Sequence, residues 1–466
     1  MMIVYFIAAL AAGTMIMRAK TRNAVFLAAG AFLALQAALV PCIALRKGAT
    51  ELGIFEYDSL GILFFAVMAA IAVAVFAHGR TYLDNETLRQ LKHYHAAFVS
   101  LCVSMTGAYF SNNVTATWVM MEATTLGSAM LIYHRRTARA LEAAWKYVFV
   151  CSVGVLTAYL GILFLSIMLK PGGGAMSFDV LTAAAREAEP LYLKLAFVLV
   201  LTGYSCKMEF FPLYPIGVDA NQVTPAPMSA FFSTAMVNMG FVAIFRIHKI
   251  LDVSPVAEWA RSVMFAAGAC SLLVSAIFIM RARHGKRLFA YSTVENMGIV
   301  LLILSTGHNG MTYAVFHVLM HSLVKSVAFL RLSLVGKTYG SYREEAIGGY
   351  REVSPVGSLE LVLCLAGLAA IPPSALFVSE MYVFGETSRN LAAFAFVLLM
   401  TCVITGFLAA RFMKIVYGPK PAAPLSAARE DRRTTGLRFA FLSAFFFFGL
   451  YRPQWFADMI AECISN

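Results

Sequence analysis

Long apolar runs separated by short polar stretches divide the chain from end to end. They lie near residues 2–17, 23–45, 58–77, 94–110, 113–133, 143–169, 191–211, 226–247, 262–280, 288–306, 310–330, 354–387, 391–416 and 435–451. None alternates apolar and polar residues with period two, so the runs read as helices and not as strands. About 20 helical residues cross the hydrocarbon core of a bilayer. Lipid offers backbone polar groups no partner outside a helix or a closed barrel. The pattern predicts an all-α polytopic membrane protein with about 14 transmembrane helices. The seventh run leads into Pro212 and Pro215, and the twelfth is broken at Pro372-Pro373. Paired broken helices build the sites of inverted-repeat transporters. The expected organisation is therefore helices 1–3 in residues 1–93, then a core in two repeats of about 94–250 and 260–416. A basic loop, a last helix and a short tail follow in 417–466.

Charge sets the orientation. Inside loops collect Lys and Arg. With the N-terminus outside, the inside connections hold 23 basic residues and the outside ones 9. Both termini are then expected outside, in a multi-pass protein of the inner cell membrane. No basic residue precedes the first apolar run, whereas Arg18, Lys20 and Arg22 follow it. That pattern reads as a retained helix and not a cleaved signal peptide. Residues 170–190 and 418–436 read as plain connectors.

Composition agrees. Of 466 residues, 60% are hydrophobic and 13% charged, against about 25% charged in soluble domains. This excludes a soluble enzyme, a disordered chain and, despite the net charge of +12, a nucleic-acid-binding domain. The eight cysteines, Cys42, Cys102, Cys151, Cys206, Cys270, Cys364, Cys402 and Cys463, include no CxxC. They read as small hydrophobes, so no cofactor is expected on this chain.

The informative residues are ionisable groups within apolar helices, each costing roughly 2.5–3.5 kcal/mol at a helix centre on insertion scales. Glu122 lies mid-run in ATWVMMEATTLGSAMLIY, and Lys207 lies beside the seventh-run break. They suit a buried pair whose proton affinity follows its separation. A static salt bridge is the plain alternative. Lys146 opens the sixth run, either to snorkel or to modulate that pair. Glu209 reads as a local cap or a solvated group, and Asp219 as a turn residue. His317, His321 and Lys325 stand at i, i+4 and i+8 on one helix face. Imidazoles near neutral pKa suit proton hopping; a haem or metal site on His317 and His321, and core histidines with a snorkelling lysine, are the alternatives. Ser233, Thr234 and Asn238 add a polar stripe able to hold water. Glu380 follows the Pro372-Pro373 break and suits an exit group or an interfacial carboxylate.

At these residues the chain resembles the antiporter-like subunits shared by respiratory complex I, Mrp sodium/proton antiporters and group 4 membrane-bound nickel–iron hydrogenases. The stretches MEATTLGSAMLI, GYSCKMEFFPLYPIGVDANQVTPAPMSA, GKRLFAYSTVENMG, HVLMHSLVKSVAFL and IPPSALFVSEMYVF carry it, between about residues 95 and 416. The texture is most similar to the F-type membrane component of hydrogenase-4. Two departures stand out. The family's HxWLPDAH reads YPIGVDAN here, and Asn238 stands where some members have Lys. The resemblance is not expected to extend to the long lateral helix of the largest complex I subunit.

The resemblance implies an ion-translocating, proton-pumping subunit of a hydrogenase, formate hydrogenlyase-like or complex I-like oxidoreductase. Glu122 and Lys207 would couple, Lys146 would modulate, Asn238, His317, His321 and Lys325 would relay, and Glu380 would release the proton. Nickel–iron and iron–sulfur centres would lie on peripheral redox partners, beside other membrane subunits. The transported ion would be the proton, or sodium. An Mrp-type antiporter subunit, a transport-inactive scaffold and a subunit for inorganic-carbon uptake are the alternatives.

Overall fold

A computed structural model describes residues 1–169, 176–421, 428 and 430–465. Parts of the connectors read at 170–190 and 418–436 lie outside the described residues. Each of the fourteen apolar runs is helical over most of its length. The first seven carry α1 (Met2–Arg18), α2 (Arg22–Ala44), α3 (Ser59–Tyr82), α4 (Leu88–Phe110), α5 (Val114–Ile132), α6 (Ala138–Ile167) and, after a short α7 (Phe178–Ala185), α8 (Pro190–Met208). Beyond the first break come α9 (Pro215–Val223), α10 (Ala226–Phe231) and α11 (Val237–Asp252). Then follow α12 (Ala257–Arg281), α13 (Gly285–Leu304), α14 (His308–Tyr339), the short α15 (Tyr350–Val353), α16 (Pro355–Leu368) and α17 (Ala375–Thr387). The chain closes with α18 (Leu391–Tyr417), α19 (Arg432–Leu450) and α20 (Gln454–Ser465).

Among the described residues nine helical stretches are long and apolar enough to cross a membrane, with α10 and α11 forming one of them. Helices α19 and α20 pass the same test together across an 81° bend. Short polar residues start many of these helices. The side chains of Thr21, Asp58, Thr87, Asn113, Thr137, Ser374, Asn390 and Asp431 accept from first-turn amides, satisfying donors that have no intrahelical partner.

Burial sorts the helices into an axis and a rim. The α14 span and the α10–α11 span are wholly enclosed, and α13 nearly so, whereas α2, α6, α12 and α18 turn much of their surface outward. Leu126, Phe149, Val153, Leu399 and Phe407 are among the apolar side chains that coat this rim. Such a surface suits lipid or neighbouring membrane subunits and not water.

Three peripheral elements were not legible as such. Residues 50–56 form a small hairpin, Thr50–Glu51 on Phe55–Glu56. The connector at 170–190 is not plain, because Ser177 caps α7 and Asn113 bridges to Ser177. The short tail is α20, which buries Phe456, Ile460 and Cys463.

Candidate functional site

Helices α6 and α8 cross in near-contact. A Cβ on Gly203 would lie 2.3 Å from the carbonyl oxygen of Gly154, and one on Gly161 would lie 2.6 Å from that of Ala196. Small residues let membrane helices approach this closely. One turn beyond the crossing stands Lys207, fully buried. Its ammonium donates to Thr125 Oγ1 at 2.9 Å and to Thr124 Oγ1 at 3.1 Å, and it lies 5.4 Å from the Tyr147 ring centre. Glu122 is half-buried on α5. It accepts from Ser152 Oγ at 2.7 Å and has Thr125 Oγ1 at 3.5 Å. The two charges make no direct ion pair, and the Thr125 hydroxyl stands between them.

Helix α8 ends at Glu209 in the left-handed region, with φ +58°. Its carboxylate is not exposed. It is buried, and Asn221 Nδ2 of α9 donates to Oε1 at 3.2 Å. Gly217 makes room for it, since a Cβ there would meet the carboxyl carbon at 2.5 Å. The broken backbone is partly satisfied by serines. Phe211 N–H donates to Ser271 Oγ at 3.0 Å and Leu213 N–H to Ser205 Oγ at 3.3 Å. Asp219 pairs with Arg287 at 2.8 Å.

The centre is carried by α14. His317, His321 and Lys325 lie on it fully buried, with the spacing the sequence predicts. His317 Nε2 meets Asn296 Oδ1 at 3.2 Å, and Nδ1 meets Ser379 Oγ at 2.8 Å. Ser322 Oγ donates to Asn238 Oδ1 at 2.9 Å, tying α14 to α11. Asn238 follows a π-helical turn at Phe232–Met236 that also carries Ser233 and Thr234. Such turns shift the helix face presented to a neighbour. Lys325 Nζ, both ring nitrogens of His321, Glu209 Oε2, Asn238 Nδ2 and Ser233 Oγ are buried without a protein partner.

Glu295 of α13 is buried and lies within Coulombic reach of Lys325. Glu380 of α17 is largely buried and within reach of Glu295. The break before it has Ala370 at φ +48°. Buried polar groups thus recur on α5, α8, α14, α13 and α17: Thr125 beside the half-buried Glu122, then Lys207, Glu209, Lys325, Glu295 and Glu380. Lys146 is not among them. It stands about two turns into α6, exposed on the surface and paired with Glu142, four residues away, at 2.5 Å.

Sequence reasoning passed over Glu295, Thr125, Ser152 and Asn296. It also missed a buried cluster at the far end of α14. Glu360 accepts from Arg331 Nε at 2.7 Å and Arg438 Nε at 2.8 Å. Glu430 accepts from Arg331 at 2.7 Å and from Ser354. Burial opposes ionisation of Glu430, yet Arg331 and Ser354 hold its carboxyl below the usual range. Isolated charges in SLELVLCL and TGLRFAFL were the available signal. Among the described residues no group of three His, Cys, Asp or Glu side chains is arranged to hold a metal ion.

Residues 111–407 match the family model described as "NADH:quinone oxidoreductase/Mrp antiporter, TM". The chain is similar to the Hydrogenase-4 component F homolog of Methylacidiphilum infernorum, at 30% identity over 78% of this chain and 79% of that one. It is 28% identical to NADH-quinone oxidoreductase subunit N of Halorhodospira halophila, over 80% and 77%. The fold is similar to a chain of the archaeal membrane-bound sulfane sulfur reductase, with TM-score 0.87 and 20% identity over 100% and 96%.

Proposed function

The chain belongs to the NADH:quinone oxidoreductase/Mrp antiporter transmembrane family, and from that membership we propose that it is the proton-pumping subunit of a group 4 hydrogenase-like or complex I-like oxidoreductase. The observation that carries this reading is the buried succession of titratable and hydroxyl groups from Glu122 to Glu380. Intramembrane ionisable residues are costly and mark ion pathways. Glu122 and Lys207 act as the coupling pair through Thr125. His317, His321 and Lys325 relay the proton, with Asn238 holding the π-turned helix on α14. Glu380 releases it. Redox chemistry, with nickel–iron and iron–sulfur centres, belongs to peripheral partner chains, and other membrane subunits flank this one.

The same reading takes all fourteen runs as spans of the inner cell membrane, with both termini outside. It takes 94–250 and 260–416 as inverted repeats. In support, each break holds a non-glycine residue of positive φ three positions before a proline, Glu209 before Pro212 and Ala370 before Pro373.

The test is to purify the complex through a tag on this chain. Mass spectrometry then identifies the partners, and nickel and iron are assayed. Proton uptake is followed in vesicles for wild type, Lys207→Ala and Glu122→Ala. Hydrogenase partners with both metals, together with loss of coupled uptake in an assembled variant, are the expected results. Normal pumping by either variant would overturn the mechanism. Sodium-dependent flux with small membrane partners and no metal would replace it with an Mrp-type antiporter.

A further inference from the structure

Glu209 is placed against local preference. A non-glycine residue in the left-handed region costs of order 1–3 kcal/mol and persists where the surroundings over-determine it. Here the carboxylate that occupies the position is also buried, with Oε2 unmet by any protein group. It lies within Coulombic reach of both Lys325 and Cys151. Cys151 is in turn within reach of Lys207 and Glu122. Its one hydrogen-bond partner, Asn221, ends the YPIGVDAN stretch. Lys325 Nζ, Asn238 Nδ2, Asn221 Oδ1 and Ser233 Oγ are likewise buried and unmet. Leaving that many polar groups unsolvated would cost roughly 1–3 kcal/mol each, and unmet buried polar groups are what ordered internal water satisfies.

Resting on the pumping reading above, we propose that Glu209 is the proton carrier joining the Glu122–Lys207 end of the pathway to Lys325. The Lys207 ammonium releases a proton through water and becomes a neutral amine. The Glu209 carboxylate takes that proton and becomes a neutral acid. It then passes the proton to a neutral Lys325 amine, which becomes ammonium, and Glu209 returns to carboxylate. Asn238, tied to Ser322, holds the route without titrating.

The test uses the intact complex in vesicles, with proton uptake followed by a trapped pH-sensitive dye during turnover with hydrogen as donor and a viologen as acceptor. Glu209→Gln is expected to slow uptake at least tenfold. Glu209→Asp is expected to restore part of the rate with a changed pH profile, since its neighbours Lys325, Cys151 and Asn221 then face a shorter acid. Glu209→Gly separates role from structure. Glycine suits φ +58°, so this variant is expected to assemble, checked by size-exclusion chromatography, and still to lose uptake. Wild-type uptake in Glu209→Gly, alongside a blocked Lys207→Ala control, would overturn the carrier role and leave the pumping reading standing. Wild-type uptake in Lys207→Ala as well would take down both.

Discussion

Lys207 reaches Thr125 and not Glu122. The ammonium donates to the Thr125 hydroxyl at 2.9 Å, and that hydroxyl faces the Glu122 carboxylate at 3.5 Å. A hydroxyl both accepts and donates, so it can relay a proton between charges held apart by one side chain. Small helix movements would lengthen or shorten the 3.5 Å gap, and with it the electrostatic coupling of the pair.

Removing the hydroxyl at constant shape tests this relay. Thr125→Val is expected to lower coupled proton uptake by at least tenfold, and Thr125→Ser to retain most of it. Lys207 keeps its Thr124 contact at 3.1 Å, so assembly by size-exclusion chromatography should hold. Uptake at the wild-type rate in Thr125→Val would leave Thr125 a packing residue.

Lys146 carries the opposite expectation. Its ammonium is on the surface and pairs with Glu142. An exposed i, i+4 pair contributes little. Lys146→Ala should therefore change turnover-driven uptake less than twofold at physiological salt. A loss comparable to that of Lys207→Ala would show that Lys146 acts on the coupling pair across the surface.

The helices were readable because apolar length alone selects them, and the α14 stripe because three polar residues share one spacing. Thr125 was not readable as a relay, since hydroxyls are common in helices and only the position of Lys207 gives this one its role. Glu209 reads as a cap from sequence, and it is one; its burial depends on α9 folding back over it, with Gly217 making room. Glu295 escaped notice because Ser292, Thr293 and Asn296 surround it, so it does not stand out as a lone charge. Arg331 falls just past the eleventh run, and Glu360 and Arg438 lie within the first turns of the twelfth and fourteenth, where a single charge reads as interfacial. Only the packing of α14, α16 and α19 turns them into one cluster.

His284, just ahead of α13, gives a pH dependence. Burial first, then Lys286, Arg287 and Arg343, push its imidazole down to about 4 from the ordinary 6.5. The unfolded chain then binds a proton below pH 6.5 that the folded chain refuses until about 4. Stability is therefore unaffected above 6.5 and falls as pH drops through that window, by roughly 1–3 kcal/mol. His284→Gln should flatten the fall in apparent melting temperature between about pH 7 and 4, read at one scan rate on the solubilised complex. An unchanged slope would mean that other groups govern it.

The Glu360 cluster makes the last test. Arg331 and Arg438 both converge on one carboxylate oxygen, and Glu430 supplies the second negative charge. A buried balanced cluster adds little over an apolar replacement, but removing one member leaves a buried charge uncompensated, at about 3–5 kcal/mol. Glu360→Gln should thus lower the apparent melting temperature sharply. Combining it with Arg438→Met, which removes the matching positive charge, should recover most of the loss. Gly357→Ala should act like the single variant, since its Cβ would meet the Arg331 guanidinium within van der Waals contact and push it off Glu360. If the double variant were as unstable as the sum of the singles, the cluster would hold α14, α16 and α19 by shape and not by charge balance.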